Sequence, residues 1–242
     1  MTGIVLATAN AHKATELAEL LAERVGESLV TMPLADARDT GVAWYVQVAS
    51  HLVPPPEIRG KVVVVEDGTT FRANAERKAK ALSECVSLAV LADDSGLEVA
   101  ALNGAPGVTT ARYAGPNATD ADNVAKLLHA LDGKTDRRAA FVAELVLRLS
   151  DGSEWNGTGV CKGTIACEPR GENGFGYDPV FIPREGDGRT FGEMSTEEKH
   201  RYSHRAAAFA VLGEPETWKR LVTGVTITEH PPPDDLGEPS WQ

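Results

Sequence analysis

The sequence predicts a mixed α/β fold on three observations. Short apolar runs rich in β-branched residues read as buried strands, and stretches with apolar residues at helical spacing alternate with them through the first half of the chain. The second half is dominated by a strand, an Asp-Gly turn signal and another strand, the pattern of a hairpin. A chain of 242 residues with 42% hydrophobic content is also long enough to bury a sizeable core, as one large domain or one domain with two lobes.

Taken in order, Gly3 to Thr8 reads as a short buried strand. From about Lys13 to Arg24, Leu17, Leu20 and Leu21 recur among Glu16, Glu19 and Glu23, which predicts an amphipathic helix. Ser28 to Met32 fits a second strand. Residues 42–60 resist assignment, and Pro54-Pro55-Pro56 breaks any regular element there. Val62 to Val65 reads as a buried strand, Phe71 to Cys85 as a helix rich in Ala, Lys and Arg, and Leu88 to Ala92 as another buried strand. Asp93 to Asn117, rich in Gly, Pro, Ala and Thr, reads as a long ordered loop. Val124, Leu127, Leu128 and Leu131 share one face of a helix over 120–131. Ala139 to Leu149 is a long strand, Asp151-Gly152 the turn, and a second strand follows. Gly171 to Pro183 is a glycine-rich turn and strand, and Ser203 to Leu212 a final helix. The tail from Glu214, with Pro231-Pro232-Pro233-Asp234-Asp235, is expected to be poorly ordered.

Composition excludes several functions. The net charge is −11, so the surface on average repels nucleic-acid backbones. An acidic protein that binds a phosphorylated ligand has to gather its cations in one place or use a metal. Cys85, Cys161 and Cys167 form no CxxC pair, which points to a reducing compartment and away from a disulfide scaffold or zinc module. No stretch approaches the roughly 18 apolar residues of a membrane span, and Met1 to Thr8 lacks the basic lead-in of a signal peptide. The expectation is a soluble, cytoplasmic protein with neither a membrane nor a nucleic-acid partner.

Five segments carry candidate chemistry, each with a plainer alternative. Thr8-Ala9-Asn10-Ala11-His12-Lys13 joins a strand to a helix, where free N–H groups and the helix dipole favour an anion; the alternative is that Asn10 only caps the helix and Lys13 is solvated. Glu66 and Asp93-Asp94 follow buried strands, at the edge where α/β sheets bind ligands, and hard oxygen ligands suit Mg²⁺; the alternative for Asp93 and Asp94 is a turn. Asn74 and Lys78 share one helix face, which is an exposed face on the plainer reading. Gly171-Glu172-Asn173-Gly174-Phe175-Gly176-Tyr177-Asp178-Pro179 sets glycines beside two aromatics, suiting a planar ligand that stacks on a ring; the alternative is a hairpin bulge with its aromatics in the core. Lys199 and Ser203-His204-Arg205 offer donors at a helix start, or an ordinary Ser cap on a basic first turn.

Together these segments, in this order, resemble the inosine/xanthosine triphosphate pyrophosphatase family of house-cleaning nucleotide hydrolases. The likeness rests on Leu6-Ala7-Thr8-Ala9-Asn10-Ala11-His12-Lys13, Glu66-Asp67-Gly68-Thr69-Thr70-Phe71 with Asn74-Ala75 and Lys78-Ala79, and Ala92-Asp93-Asp94-Ser95-Gly96-Leu97-Glu98-Val99. It continues through Leu102-Asn103-Gly104-Ala105-Pro106-Gly107-Val108, Ala111-Arg112-Tyr113, Gly174-Phe175-Gly176-Tyr177-Asp178-Pro179, and Glu198-Lys199 with Ser203-His204-Arg205. It covers roughly residues 3–213. Residues 42–61 look like an insertion before the Glu66 motif, leaving a domain over 1–213 and an acidic, proline-rich tail over 214–242.

The resemblance implies a long mixed central sheet with helices, two lobes forming a substrate cleft, and a homodimer. It implies Mg²⁺-dependent hydrolysis of ITP, dITP and XTP to the monophosphate and pyrophosphate. Thr8, Ala9, Asn10, Ala11, His12 and Lys13 would hold the phosphates with Lys78 assisting, and Asn74 would lie on the substrate side. Glu66 and Asp94, with Asp93 alongside, would bind Mg²⁺. Asp94 would orient or deprotonate the attacking water, Lys13 would serve catalysis, and Ser95 would touch the substrate. Phe175, Gly176, Tyr177, Asp178, Lys199, Ser203, His204 and Arg205 would hold the base. A relative with altered specificity for a modified purine nucleotide, or a nucleotide binder without turnover, are the other readings. The latter has no use for a water-activating acid.

Overall fold

The computed structural model describes residues 3–34, 43–49 and 66–213, together with Ile58, Val62, Val64 and Trp218. β1 (Ile4–Ala7) is buried along its length, as its unbroken apolar run requires. α1 (Ala11–Val25) follows, turning Ala14, Leu17, Ala18, Leu20 and Leu21 inward. Asn10 caps it, accepting the His12 and Lys13 N–H groups at 2.9 and 3.2 Å, and Gly26 ends it in the left-handed conformation (φ 70°).

β2 (Leu29–Pro33) pairs antiparallel with β3 (Ala43–Val48), and β3 pairs antiparallel with β1. The structure thus puts Ala43–Val48, the first part of the stretch that reads as an insertion, inside the sheet. Residues 50–57 and 59–61 lie outside the described residues. Of the Val62–Val65 strand expected from sequence, Val63 and Val65 also lie outside them, while Val62 and Val64 pack on a hydrophobic core with Ile58.

α2 (Phe71–Ser83) is capped by Thr70, whose hydroxyl accepts the Ala73 N–H at 3.2 Å. β4 (Ala89–Val99) lies parallel to β1, with Ala7 opposite Ala92. The sequence reading stops this strand at Ala92 because Asp-Asp-Ser-Gly favours turns. The structure carries it through Asp93, Asp94 and Ser95, all buried, with β5 as its other neighbour in the sheet; ladder pairing overrides local propensity. The turn alternative for Asp93 and Asp94 therefore fails. The long loop shrinks to short 3₁₀ turns at Ala100–Leu102 and Gly107–Arg112 and their connections.

α3 (Asp120–Ala130) opens on a capping box of Thr119 and Asp122. β5 (Arg138–Arg148) and β6 (Glu154–Ile165) form the expected hairpin, with Gly152 at φ 89° in its turn. β7 (Phe181–Pro183), α4 (Thr196–His200) and α5 (His204–Leu212) complete the described elements. Among the described residues these strands form one mixed seven-stranded sheet, in the order β2-β3-β1-β4-β5-β6-β7. The molecule is α/β. No described helix is long and apolar enough to cross a membrane.

The chain divides into two compact units, one of Met1–Asp94, Glu144–Gly157 and Phe209–Asp234, the other of Ser95–Ala143, Thr158–Ala208 and Asp235–Gln242. The division falls within β4, β5 and β6, and each unit has its own core. The first is built on Val5, Ala7, Tyr45, Ala75, Leu82 and Val90. The second is built on Leu97, Val99, Leu127, Phe141, Phe181 and Phe191, whose rings meet at 4.6 Å (Phe141 to Phe181) and 5.2 Å (Phe181 to Phe191). Trp218, within the segment read as tail, is fully buried in the first unit with its ring 4.8 Å from Phe209.

Candidate active site

In the first unit, β1 and β4 end their parallel pairing at Ala7 and Ala92, so Thr8 and Asp93 leave the ladder side by side where α1 begins. This is the carboxyl edge of parallel strands, the usual ligand edge of such sheets. Lys13, in the first turn of α1, places its ammonium 2.9 Å from Asp93 Oδ2, and the Asp93 side chain is wholly buried. Lys78, from α2, donates to Asp94 Oδ1 at 2.7 Å and to the Asp93 carbonyl at 3.1 Å, and lies 3.3 Å from Glu66 Oε1. Asn74, one turn before Lys78, donates from Nδ2 to Asp94 Oδ2 at 3.1 Å and accepts the Gly68 N–H at 2.8 Å. Both Asp94 oxygens therefore accept from α2. A Cβ on Gly68 would lie 2.5 Å from Asn74 Oδ1, so a side chain there would displace the Asn74 amide.

Asn74 and Lys78 are thus buried at 1% and 6% exposure, not an exposed helix face. Two lysines and three carboxylates share this cluster. Burial pushes the Asp94 carboxyl above its ordinary range against the pull of Lys78 and Lys13. For Lys78 burial acts downward, but Asp94, Glu66 and Asp93 together outweigh it and hold the ammonium above its ordinary value.

The 8–13 turn is organised by its own cap. Thr8 is buried, its hydroxyl accepts the Asn10 N–H at 3.2 Å, and Asn10 takes the N–H groups of His12 and Lys13. Asn10 is therefore a helix cap, while Lys13, paired with Asp93, is not the solvated lysine of the plainer reading. Ala9, Ala11 and His12 are exposed beside it, and the charge at this turn is the Lys13 ammonium.

In the second unit, Lys199 of α4 forms a buried ion pair with Asp178 at 2.8 Å, and Asp178 Oδ2 also accepts the Phe175 N–H at 2.9 Å. Gly174, at φ 74°, leaves room for that carboxylate, since a Cβ would fall 2.0 Å from it. Half-buried Phe175 carries two cations over its ring: Lys199 Nζ at 4.8 Å and the Arg205 guanidinium at 5.5 Å from the centroid. Arg205 Nη2 donates to Ser95 Oγ at 2.6 Å. His204 stacks on Phe141 at 4.8 Å, and Ser203 caps α5 by accepting the Ala206 N–H at 3.1 Å. The two aromatics part company. Phe175 stays with the charged cluster, while Tyr177 is 2% exposed in the core and donates its hydroxyl to the Thr110 carbonyl at 3.0 Å.

Three supporting residues escaped the sequence reading. Asp120 accepts the Gly176 N–H at 2.7 Å. Arg189 grips the Glu198 carboxylate with two guanidinium nitrogens, at 3.2 and 2.7 Å, and so fixes the helix that carries Lys199. Gly159 of β6 lets the backbone of α5 come so close that a Cβ would fall 1.9 Å from the His204 carbonyl oxygen. Only the glycine left a local trace, as a strand glycine marks close backbone approach.

A metal fits this donor set in kind. Glu66 and Asp94 already place one carboxylate oxygen each on a common cation, Lys78, and carboxylates are hard ligands suited to Mg²⁺. Among the described residues no group of three or more His, Cys, Asp or Glu side chains is arranged as a preformed metal cage.

The Ham1 family model matches residues 4–214. The chain belongs to the Ham1 family. It is 44% identical over 209 residues to the dITP/XTP pyrophosphatase of Syntrophobacter fumaroxidans, covering 86% of this chain and 79% of that one. To the dITP/XTP pyrophosphatase of Geobacillus kaustophilus it is 42% identical over 231 residues, 95% of this chain and 100% of that one. Among solved structures, a HAM1 protein from Coxiella burnetii aligns with a TM-score of 0.65 at 37% identity, covering 87% of this chain and 95% of that one. A nucleoside-triphosphatase, dITP/XTP pyrophosphatase, from Mycobacterium abscessus aligns with a TM-score of 0.61 at 38% identity, over 87% and 97%. The resemblance read from the sequence motifs is borne out, and the α/β fold of this Ham1 chain is that of its solved relatives.

Proposed function

We propose that this Ham1 chain hydrolyses deaminated purine nucleoside triphosphates, ITP, dITP and XTP, to the nucleoside monophosphate and pyrophosphate. The observation that carries the reading is Asp94: a buried carboxylate with both oxygens bound, in a cluster that also holds Lys13, Lys78, Glu66 and Asp93. Such a group orients a water and takes its proton beside a polyanion.

Lys13, with the 8–13 turn, binds the phosphate chain, and Lys78 offsets charge while holding Asp94 in place. Glu66 and Asp94, with Asp93 adjoining, would hold Mg²⁺, which would supply neutralisation of the charge that develops on the phosphoanhydride. Asp94 directs the attacking water, and Ser95 is the next residue along. In the second unit Phe175 stacks on the purine, and Lys199, His204 and Arg205 supply donors for a 6-keto group. The homodimer and the cytoplasmic setting belong to the same reading.

Product analysis tests it. With Mg²⁺ and ITP the expected products are IMP and pyrophosphate in equal amounts, and excess EDTA abolishes the reaction. Release of IDP and orthophosphate, or full activity in EDTA, would contradict it.

A further inference from the structure

We propose that Asp120 is the positioning residue of the Phe175 loop, acting through the backbone to aim the ring on which the purine stacks. The inference rests on the base-stacking reading above. Two consecutive amides around Phe175 each donate to a carboxylate: its own N–H to Asp178 Oδ2 at 2.9 Å, and the Gly176 N–H to Asp120 Oδ2 at 2.7 Å. The first bond is local and shapes the turn. The second reaches back to a residue 56 positions earlier in the chain, at the start of α3.

That start is firmly held. Thr119 and Asp122 close a capping box around it, and Val124 and Leu127 of the same helix sit in the core of the second unit. The loop needs such an anchor. Gly174 and Gly176 take φ values of 74° and 61°, a region L-residues rarely adopt, and glycine has more backbone alternatives than any other residue. With a carboxylate on the amide at each side of Phe175, the peptide planes before and after its Cα are both fixed. The Cα–Cβ bond then points one way, and the ring lies under Lys199 at 4.8 Å and Arg205 at 5.5 Å. Asp120 acts at one remove from the base, through its bond to the Gly176 amide. Asp178 alone pins one plane and leaves the other free to turn.

The test is steady-state kinetics on ITP and GTP with Asp120→Ala, Asp120→Asn, Phe175→Ala and the Asp120→Ala/Phe175→Ala double variant. Asp120→Ala removes a charge-assisted acceptor and should raise KM about tenfold for both substrates with kcat within about twofold. The ITP-to-GTP ratio should hold, because stacking is blind to the base's edges. Asp120→Asn keeps an acceptor oxygen at the same place and should restore KM to within about threefold of wild type. In the Phe175→Ala background, Asp120→Ala should add nothing, because the ring it aims is gone. An equal, additive loss in that background would overturn the inference, and so would wild-type KM in Asp120→Ala when Phe175→Ala alone raises it. If Phe175→Ala itself leaves KM unchanged, the stacking reading fails and takes this inference with it. Should Asp120→Ala fold poorly, the Asn variant decides: a tenfold KM rise in a folded Asp120→Asn protein contradicts the acceptor role.

Discussion

In the proposed reaction Asp94 is the residue on which the chemistry turns, and its surroundings are what would let a carboxylate there do more than pair with a lysine. Asn74 and Lys78 occupy one oxygen each, so the group is held in a single orientation, and burial strengthens its hold on a proton. Asp94→Asn keeps the size and removes the charge, so turnover should fall by several orders of magnitude while the protein still folds. A variant that keeps more than a tenth of wild-type kcat would refute the role, as measured by pyrophosphate release. At this scale the sequence was informative where residue type carries the chemistry. Lys13, Glu66, Asp93, Asp94, Lys78, Phe175, Lys199 and Arg205 were all legible in their motifs, and the structure draws them into two clusters, one in each unit. Asp120 and Arg189 were not, because a carboxylate on a distant amide or a guanidinium on a distant carboxylate leaves no local pattern.

Short elements hold these side chains, and their stability depends on a few contacts. α4 spans only Thr196–His200 and is kept by the Ser195–Glu198 capping box and by Arg189 on the Glu198 carboxylate. The Arg189 bonds and the Ser195 N–H hold the Glu198 carboxyl down to about 2 from an ordinary 4.5. Its folded value lies below its unfolded one, so its contribution to stability is complete above pH 4.5 and is lost as pH falls toward about 2. Glu198→Gln should therefore lower the thermal midpoint near neutral pH, and the gap from wild type should narrow steadily as the pH drops from 4.5 toward about 2. A gap that stays constant across that range would rule out the Arg189–Glu198 account.

Gly159 gives a second prediction at this scale. A methyl group there meets the His204 carbonyl and the Ala208 N–H, so Gly159→Ala should cost on the order of 1–3 kcal/mol in denaturant unfolding. A midpoint equal to wild type would show that α5 does not ride on β6 as described. β4 was the element the sequence misjudged, since propensity reads Asp-Asp-Ser-Gly as a turn and only the neighbouring strand reveals otherwise. β3 hid for a different reason. It lies inside a stretch that departs from the family motif order, yet its six residues stand between β2 and β1, so a linker replacing them would remove an interior strand.

For the whole molecule, a net charge of −11 and a polyanionic substrate are reconciled by local concentration of cations. Lys13 and Lys78 stand at one cluster, paired with Asp93 and Asp94, and Lys199, paired with Asp178, stands with Arg205 at the other. The α/β class and the hairpin were readable from periodicity. The division into two units was not, because it falls inside β4, β5 and β6 where no linker, glycine run or change of composition marks it. The choice of base is the central claim at this scale. On the proposed reading, hypoxanthine and xanthine would present a 6-keto acceptor to donors from Lys199, His204 and Arg205, whereas adenine would present a 6-amino donor that leaves them unpaired, a difference that can reach about 10⁴-fold. Guanine keeps the keto group and differs only by its 2-amino group, so it is the harder base to exclude. The direct test is pyrophosphate release with Mg²⁺ across ITP, XTP, dITP, GTP and ATP, compared as kcat/KM. ITP, XTP and dITP should lead, GTP should fall well behind and ATP should come last; hydrolysis of ATP as fast as ITP would contradict the account.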